Sequence, residues 1–526
     1  MSVAAALVLA LAPGCKGDDD DDDDDEDNTP TTPGGSGALS GTVTYDFVPA
    51  KYSPTSRTGT LAFNEAEERP VRNAVVQVLQ GTNVLATTNT NAQGRYQLSY
   101  TAPKGPGLSL VVLAKTTTPA IQVEDNTDGD AIWSVGTSIQ VTTTTQDLHA
   151  THGWSGTAYS ATKRTAAPFA ILDSMYTAAQ AFMAVRPVTF PALKVNWSPD
   201  NVPQSGSKST GRIGTSHFSF DENEIYILGK ERADTDEFDN HVIVHEWGHY
   251  FEHNLSRADS PGGPHSSGDV LDPRLSFGEG YGNALSGMLL PSPMYVDTLW
   301  NGSSLTAFGF DMETAPSPTD DPRPGVFSET SVMRLLYDIV DSGTNESGYD
   351  QMGVGLGVLY DVLVGPQKTT PALTTIGSFI AGLKAQPGVN AAQVNLLAAH
   401  YNIGPVTSAF GDGDSALRSL YTQVSSYPYN TTVSLVGGDD YNKQEQNRYY
   451  VFTGTGRSMS ISANSTQDVG ITAYQAGRVA GSADNLLSGT ETFTFTSQAD
   501  ATYVLVVTGF KATSGSYSAS LSISSQ

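Results

Sequence analysis

The chain is nearly devoid of cysteine. Cys15 is the only one in 526 residues, so no disulfide can close within the chain. Positive charge is scarce as well: 28 Lys and Arg face 55 Asp and Glu, a formal net charge of −27. Binding a phosphate backbone needs clustered Lys and Arg, so nucleic acid is excluded as a partner. Beyond the N-terminus no run approaches the roughly 18 uninterrupted apolar residues of a membrane-spanning helix. Charged residues make up only 16%, against roughly 25% in an average soluble protein. The sequence also lacks a G-x-S-x-G elbow, a Walker loop, a dinucleotide fingerprint and a cysteine nucleophile, which removes the reaction classes built on them. What is abundant is Gly, Ser, Thr and Tyr, the texture of an exported, strand-rich protein. The length is too great for one ordinary core and implies several domains.

The N-terminus reads as an export signal. Ser2–Pro13 is almost wholly apolar and ends at Gly14-Cys15, which places residues 1–15 as a signal peptide. The cysteine at that junction resembles a bacterial lipobox, which implies a lipid anchor at Cys15. The protein is then expected in the cell envelope, as an outer-membrane lipoprotein, or outside the cell. Residues 16–38 follow as an acidic tether. Asp18–Asp27 holds ten consecutive acids, and like charges with nothing apolar to bury keep a chain extended.

Residues 39–147 have the two-residue alternation of a β-sandwich, as in Leu39–Tyr45, Ala74–Leu79, Tyr96–Tyr100 and Leu108–Leu113, with turn residues such as Asn91-Ala-Gln-Gly94 between them. The order SGTV, RPVRNAVVQV, TTNTNAQGRYQLSY resembles carboxypeptidase-regulatory-like modules. Residues 148–428 change to an α+β pattern. Helical spacing covers Pro168–Val185, Phe238–Leu255, Ser276–Leu290 and Thr330–Asp341, and strands are expected at Pro191–Trp197 and Asn223–Gly229. Residues 429–526 return to alternation in Arg448–Phe452, Ser458–Ala463, Thr492–Thr496 and Tyr503–Val507, and resemble the bacterial pre-peptidase C-terminal domain.

The chemistry concentrates in His245-Glu246-Trp-Gly-His249. Positions i and i+4 of a helix lie one turn apart on one face, so two imidazoles at this spacing can reach one zinc ion. Glu246, beside the first ligand, is placed to take a proton from water and pass it to a leaving amine. His253, one turn beyond His249, points past such an ion and reads as structural. A metzincin needs Gly and His three and six residues after the second His, where this chain has Glu252 and Leu255. The third ligand is then Glu279, Asp269 or Asp272. Glu279 is favoured because Gly278 and Gly280 allow close helix packing around it.

This set resembles the gluzincins, the zincin group that includes the thermolysin-like proteases. The resemblance implies a zincin-like α+β metallopeptidase core between two β-sandwiches, with Zn2+ held by His245, His249 and Glu279 and Glu246 as general base. Asn283 stands where that group places an acid that steadies the first histidine, and its carbonyl can take that role from the second shell. The loop DSPGGPHS…GD…LDPRLSFGEG is similar to that of a group of bacterial, often lipoprotein-type gluzincins. Zincins often stabilise the oxyanion with a Tyr or His, and the candidates are His265, Tyr281 and Tyr337. The strand Glu224–Leu228 falls where zincins place the edge strand that pairs with an extended substrate. The expected activity is endopeptidase cleavage of a peptide or protein substrate by a monomer. The alternative is a non-catalytic surface protein with a structural zinc site and β modules that bind partners.

Overall fold

The computed structural model describes residues 33–160, 163–342, 348–438, 442–510 and 515–526. The expected signal peptide, Cys15 and most of the acidic tether lie outside them. The protein is strand-rich, with several sheets and, among the described residues, eight α-helices. No helix in this set is long and apolar enough to cross a membrane. The chain divides into two compact units, residues 1–250 with 294–311, and residues 251–293 with 312–526.

The first unit is built on a nine-stranded mixed sheet. Its path runs His217–Ser219, Glu224–Ile227, Leu193–Trp197, Ala120–Asp125, Leu108–Thr117, Ala74–Gln80, Asn83–Asn89, with two further strands pairing off this path. Leu193–Trp197 lies parallel to both Ala120–Asp125 and Glu224–Ile227. The sheet therefore runs without a break across the boundary expected between 147 and 148. The physical reason is that Ala120–Asp125 keeps one edge open to pairing, and alternation within a strand carries no information about which distant strand fills that edge. A second sheet forms around Gly35–Phe47. Helix α1 (Ala167–Val185) contacts strands of both sheets. Its Asp173 accepts from Tyr45 Oη at 2.9 Å and pairs with Arg72 at 2.6 Å. A small meander, Gly229–Lys230, Asp234–Thr235, Met294–Trp300 and Leu305–Asp311, completes the unit. Its last two strands have no counterpart in the sequence reading.

Helix α2 (Asn240–Leu255) begins in the first unit, and the division runs through it between Tyr250 and Phe251. The second unit contains α3 (Pro273–Leu289), α4 (Glu329–Val340) and four further helices. Its strands form a five-stranded sheet and a four-stranded sheet. Val433, Leu435, Ile461, Leu505, Val507, Leu521 and Ile523 of the two sheets fill one shared core, so the C-terminal part is a β-sandwich. The other face of the five-stranded sheet is also covered. Tyr449, Val451, Val504 and Val506 pack against Leu373, Leu420 and Tyr421. The strand Tyr421–Gln423, from before the boundary expected at 428, pairs parallel with Asn447–Thr453. That sandwich is accordingly built into the second unit.

Candidate metal centre

Helix α2 starts where the main-chain carbonyl of Asp239 accepts from Ile243 N–H at 3.1 Å. Ile243, Val244, Trp247, Tyr250 and Phe251 are fully or almost fully buried, and Trp247 packs against Phe182 and Phe190. A helix buried this completely holds its polar side chains in place. His245 and His249 lie on one face with their Nε2 atoms 3.0 Å apart. Two zinc–nitrogen bonds of roughly 2.0–2.1 Å span such a gap. Glu246, 8% exposed, accepts the main-chain N–H of Phe218 at 2.8 Å. His253 is exposed at the end of the helix.

That bond identifies the strand next to the general-base candidate as His217–Ser219, and it corrects the expected edge strand. Glu224–Ile227 pairs on both sides, with Leu193–Trp197 and with His217–Ser219, so it has no edge to offer. The sheet ends at His217–Ser219, which runs antiparallel to its neighbour. The sequence hides this because HFS is too short to show a period. Phe220, just beyond, is 39% exposed, with its ring 6.4 Å from that of His249.

In the second unit, Asp272 caps α3 by accepting from Arg274 N–H at 3.0 Å, and Pro273 opens the helix. Asp272 is fully buried, paired with Arg274 and bonded to Tyr449 Oη at 2.7 Å. Asp269 pairs with Lys443 at 2.8 Å. The two rivals for third ligand are thus engaged elsewhere. Glu279 faces His265: its Oε2 lies 3.3 Å from His265 Nε2, and His265 Nδ1 lies 2.9 Å from Glu329 Oε2. Burial works against a charged His265, but its bonds to Glu279 and Glu329 prevail and push it up to about 11. Both ring nitrogens then donate to carboxylates. Asn283 donates from Nδ2 to Glu329 Oε1 at 2.6 Å. Glu329, the first residue of α4 behind the N-cap Ser328, was missed by the sequence reading. An acid in a first helical turn is explained by the helix dipole alone, which masked it.

Tyr281 is fully buried beside Glu252, and burial holds its hydroxyl well above the usual phenol range. It belongs to the core, which corrects its candidacy as an oxyanion donor. Tyr337 is 7% exposed, and a Cβ added at Gly287 would lie 3.0 Å from its ring. Glu252, in the last turns of α2, is buried, and a Cβ added at Gly278 would meet it at 3.5 Å. One continuous helix therefore carries His245 and His249 and reaches the residue before Glu279. Two imidazole nitrogens 3.0 Å apart on one helix face are a donor pair that suits zinc.

Scans against protein families and against curated proteins find no match. Among solved structures, a pre-peptidase C-terminal domain of a Bacillus anthracis collagenase is similar at 16% identity and a TM-score of 0.16, over 20% of this chain and 93% of that one. A surface-associated copper-binding protein of Methylomicrobium album BG8 is similar at 9% identity and 0.17. A periplasmic inhibitor of g-type lysozyme from Salmonella Typhimurium is similar at 16% and 0.15. Both cover 20% of this chain and 98% of the other. Likenesses of this size assign no function.

Proposed function

We propose that this protein is an exported zinc peptidase of gluzincin type, tethered by a lipid at Cys15 and acting on peptides or proteins at the cell envelope. The observation that carries the reading is the pair of imidazoles, His245 and His249, 3.0 Å apart on the helix that also carries Glu246. His245, His249 and Glu279 would hold the metal. When bound, zinc polarises a carbonyl and makes water acidic enough to react near neutral pH. The remaining work falls to this chain's own side chains. Glu246 accepts a proton from the water whose oxygen adds to the scissile carbonyl carbon. It returns that proton to the amide nitrogen as the carbon–nitrogen bond breaks, leaving a carboxylate and an amine. The Phe218 N–H holds the Glu246 carboxylate at the edge of the sheet. The His217–Ser219 strand offers that edge to an extended peptide. His265 acts as a positioning residue by orienting Glu279. On this reading the chain joins carboxypeptidase-regulatory-like strands and a pre-peptidase-like sandwich to a zincin core.

The test is casein hydrolysis by the purified chain, with zinc measured in parallel. Glu246→Gln is expected to lower kcat by at least about 100-fold, in line with loss of a general base, while zinc stays near one per chain. Unchanged hydrolysis in that variant overturns the mechanism. A zinc-loaded wild type that cleaves nothing overturns the assignment as a peptidase.

A further inference from the structure

A second group of ligand-type side chains lies wholly within the first unit. Asp234, Asp236 and Asp297 each offer a carboxylate oxygen, and these oxygens lie within 4.8 Å of one another. Asp234 and Asp236 flank Thr235 in the meander, and Asp297 comes from the neighbouring strand Met294–Trp300. Asp239, three residues after Asp236, is fully buried. Its Oδ2 accepts from Thr298 N–H at 2.6 Å and from Thr298 Oγ1 at 2.9 Å.

Acidic side chains cluster on many surfaces without consequence, but here Asp236 and Asp239 are buried and Asp234 and Asp297 half-buried. Asp236 is 3% exposed and Asp239 fully buried, and each keeps one carboxylate oxygen, Oδ1, with no hydrogen-bond partner. No Lys, Arg or His forms an ion pair with any of the four among the described residues. Asp236 Oδ2 accepts from Ser216 Oγ, but a buried carboxylate with no opposite charge beside it is costly, and several together are costlier still. Burial, reinforced at Asp297 by the charge on Asp234, pushes Asp234 up to about 6 and Asp297 up to about 7. Asp236 and Asp239 are driven well above the ordinary carboxylate range by burial and by their acidic neighbours.

We propose that Asp234, Asp236 and Asp297, with Asp239 beside them, hold a calcium ion. Donors at 2.3–2.6 Å from a common ion can be at most about 5 Å apart, a limit the three oxygens meet. An all-oxygen, multiply charged donor set suits a hard cation and disfavours zinc, whose sites are built mainly on nitrogen and sulfur. Magnesium retains most of its water and is usually held by one or two carboxylates, whereas calcium takes six to eight oxygens in flexible geometry. The ion would join the meander to the start of α2, because the main chain of Asp239 opens that helix. The site does not depend on the peptidase reading, since none of its ligands touches the histidine set.

The full chain, dialysed free of calcium with zinc retained, is titrated with calcium chloride. Bound calcium is counted by equilibrium dialysis and thermal unfolding is followed in parallel. One calcium per chain is expected, with a melting temperature that climbs with the logarithm of calcium concentration. Asp236→Asn/Asp297→Asn is expected to weaken calcium binding at least about tenfold and to flatten that climb. It is expected to fold at least as well as the wild type without calcium, because it removes two carboxyl groups whose ionisation burial disfavours. Zinc content is expected to be equal in both proteins. A wild type that binds no calcium, or binds magnesium equally well, overturns the proposal. So does a folded double variant that binds calcium as the wild type does. Should the double variant not fold, the wild-type titration and Asp297→Asn alone decide by the same criteria.

Discussion

Glu329 touches none of the three proposed zinc ligands in the bonds it makes, yet it controls one of them. It accepts from His265 on one oxygen and from Asn283 on the other, and His265 in turn reaches Glu279. Glu329→Gln would remove the charge that favours the His265 imidazolium and leave the shape intact. Removing an outer partner of a metal ligand usually costs 10–100-fold in metal affinity or activity. We expect zinc affinity, measured by chelator competition, to fall by about that factor, with Glu329→Asp restoring part of the loss. Phe220 is an apolar ring left 39% exposed near His249. If it packs against substrate, Phe220→Ala raises KM several-fold with little change in kcat or zinc content, which steady-state kinetics on a peptide series would read.

The spacing of α3 and α4 rests on glycine. A Cβ at Gly280 would lie 2.8 Å from Val332 Cγ1 and 2.9 Å from Met333 N, too close for either to remain in place. Gly280→Ala is expected to destabilise by about 1–3 kcal/mol, the usual range for overpacking, in a denaturant titration. Because Glu279 precedes this contact, zinc affinity is expected to fall as well. Here the sequence was informative: glycines framing an acid imply close helix approach, and the two helices do meet there. The strand His217–Ser219 is the opposite case. Three residues carry no period, and their place at the edge depends on Glu224–Ile227 having already paired with Leu193–Trp197.

Across the second unit, the C-terminal sandwich does more than append mass. Asn442 Nδ2 donates to the carbonyls of Gly262 and Pro264 at 3.0 and 2.9 Å, which holds the loop that carries His265. Tyr449 bonds the N-cap of α3, and the adjoining sheet face covers Leu373, Leu420 and Tyr421. Truncation after residue 428 is therefore expected to give an aggregating chain with zinc well below one per chain, measured by size-exclusion chromatography and metal analysis. A monodisperse, zinc-replete truncation would show that the sandwich is an accessory.

The sequence by itself determined what a local period or a fixed spacing can encode: the amphipathic helices, the alternating strands, the two imidazoles one turn apart and the acid beside them. Those features depend on neighbours a few residues away. Tertiary structure alone decided which strand ends the large sheet, that this sheet crosses 147 and 148, that Glu329 meets His265, and that Asp297 joins Asp234 and Asp236. Each of these brings together residues from separate elements, and neither backbone hydrogen bonding nor carboxylate chemistry specifies a distant partner until the chain has folded around it.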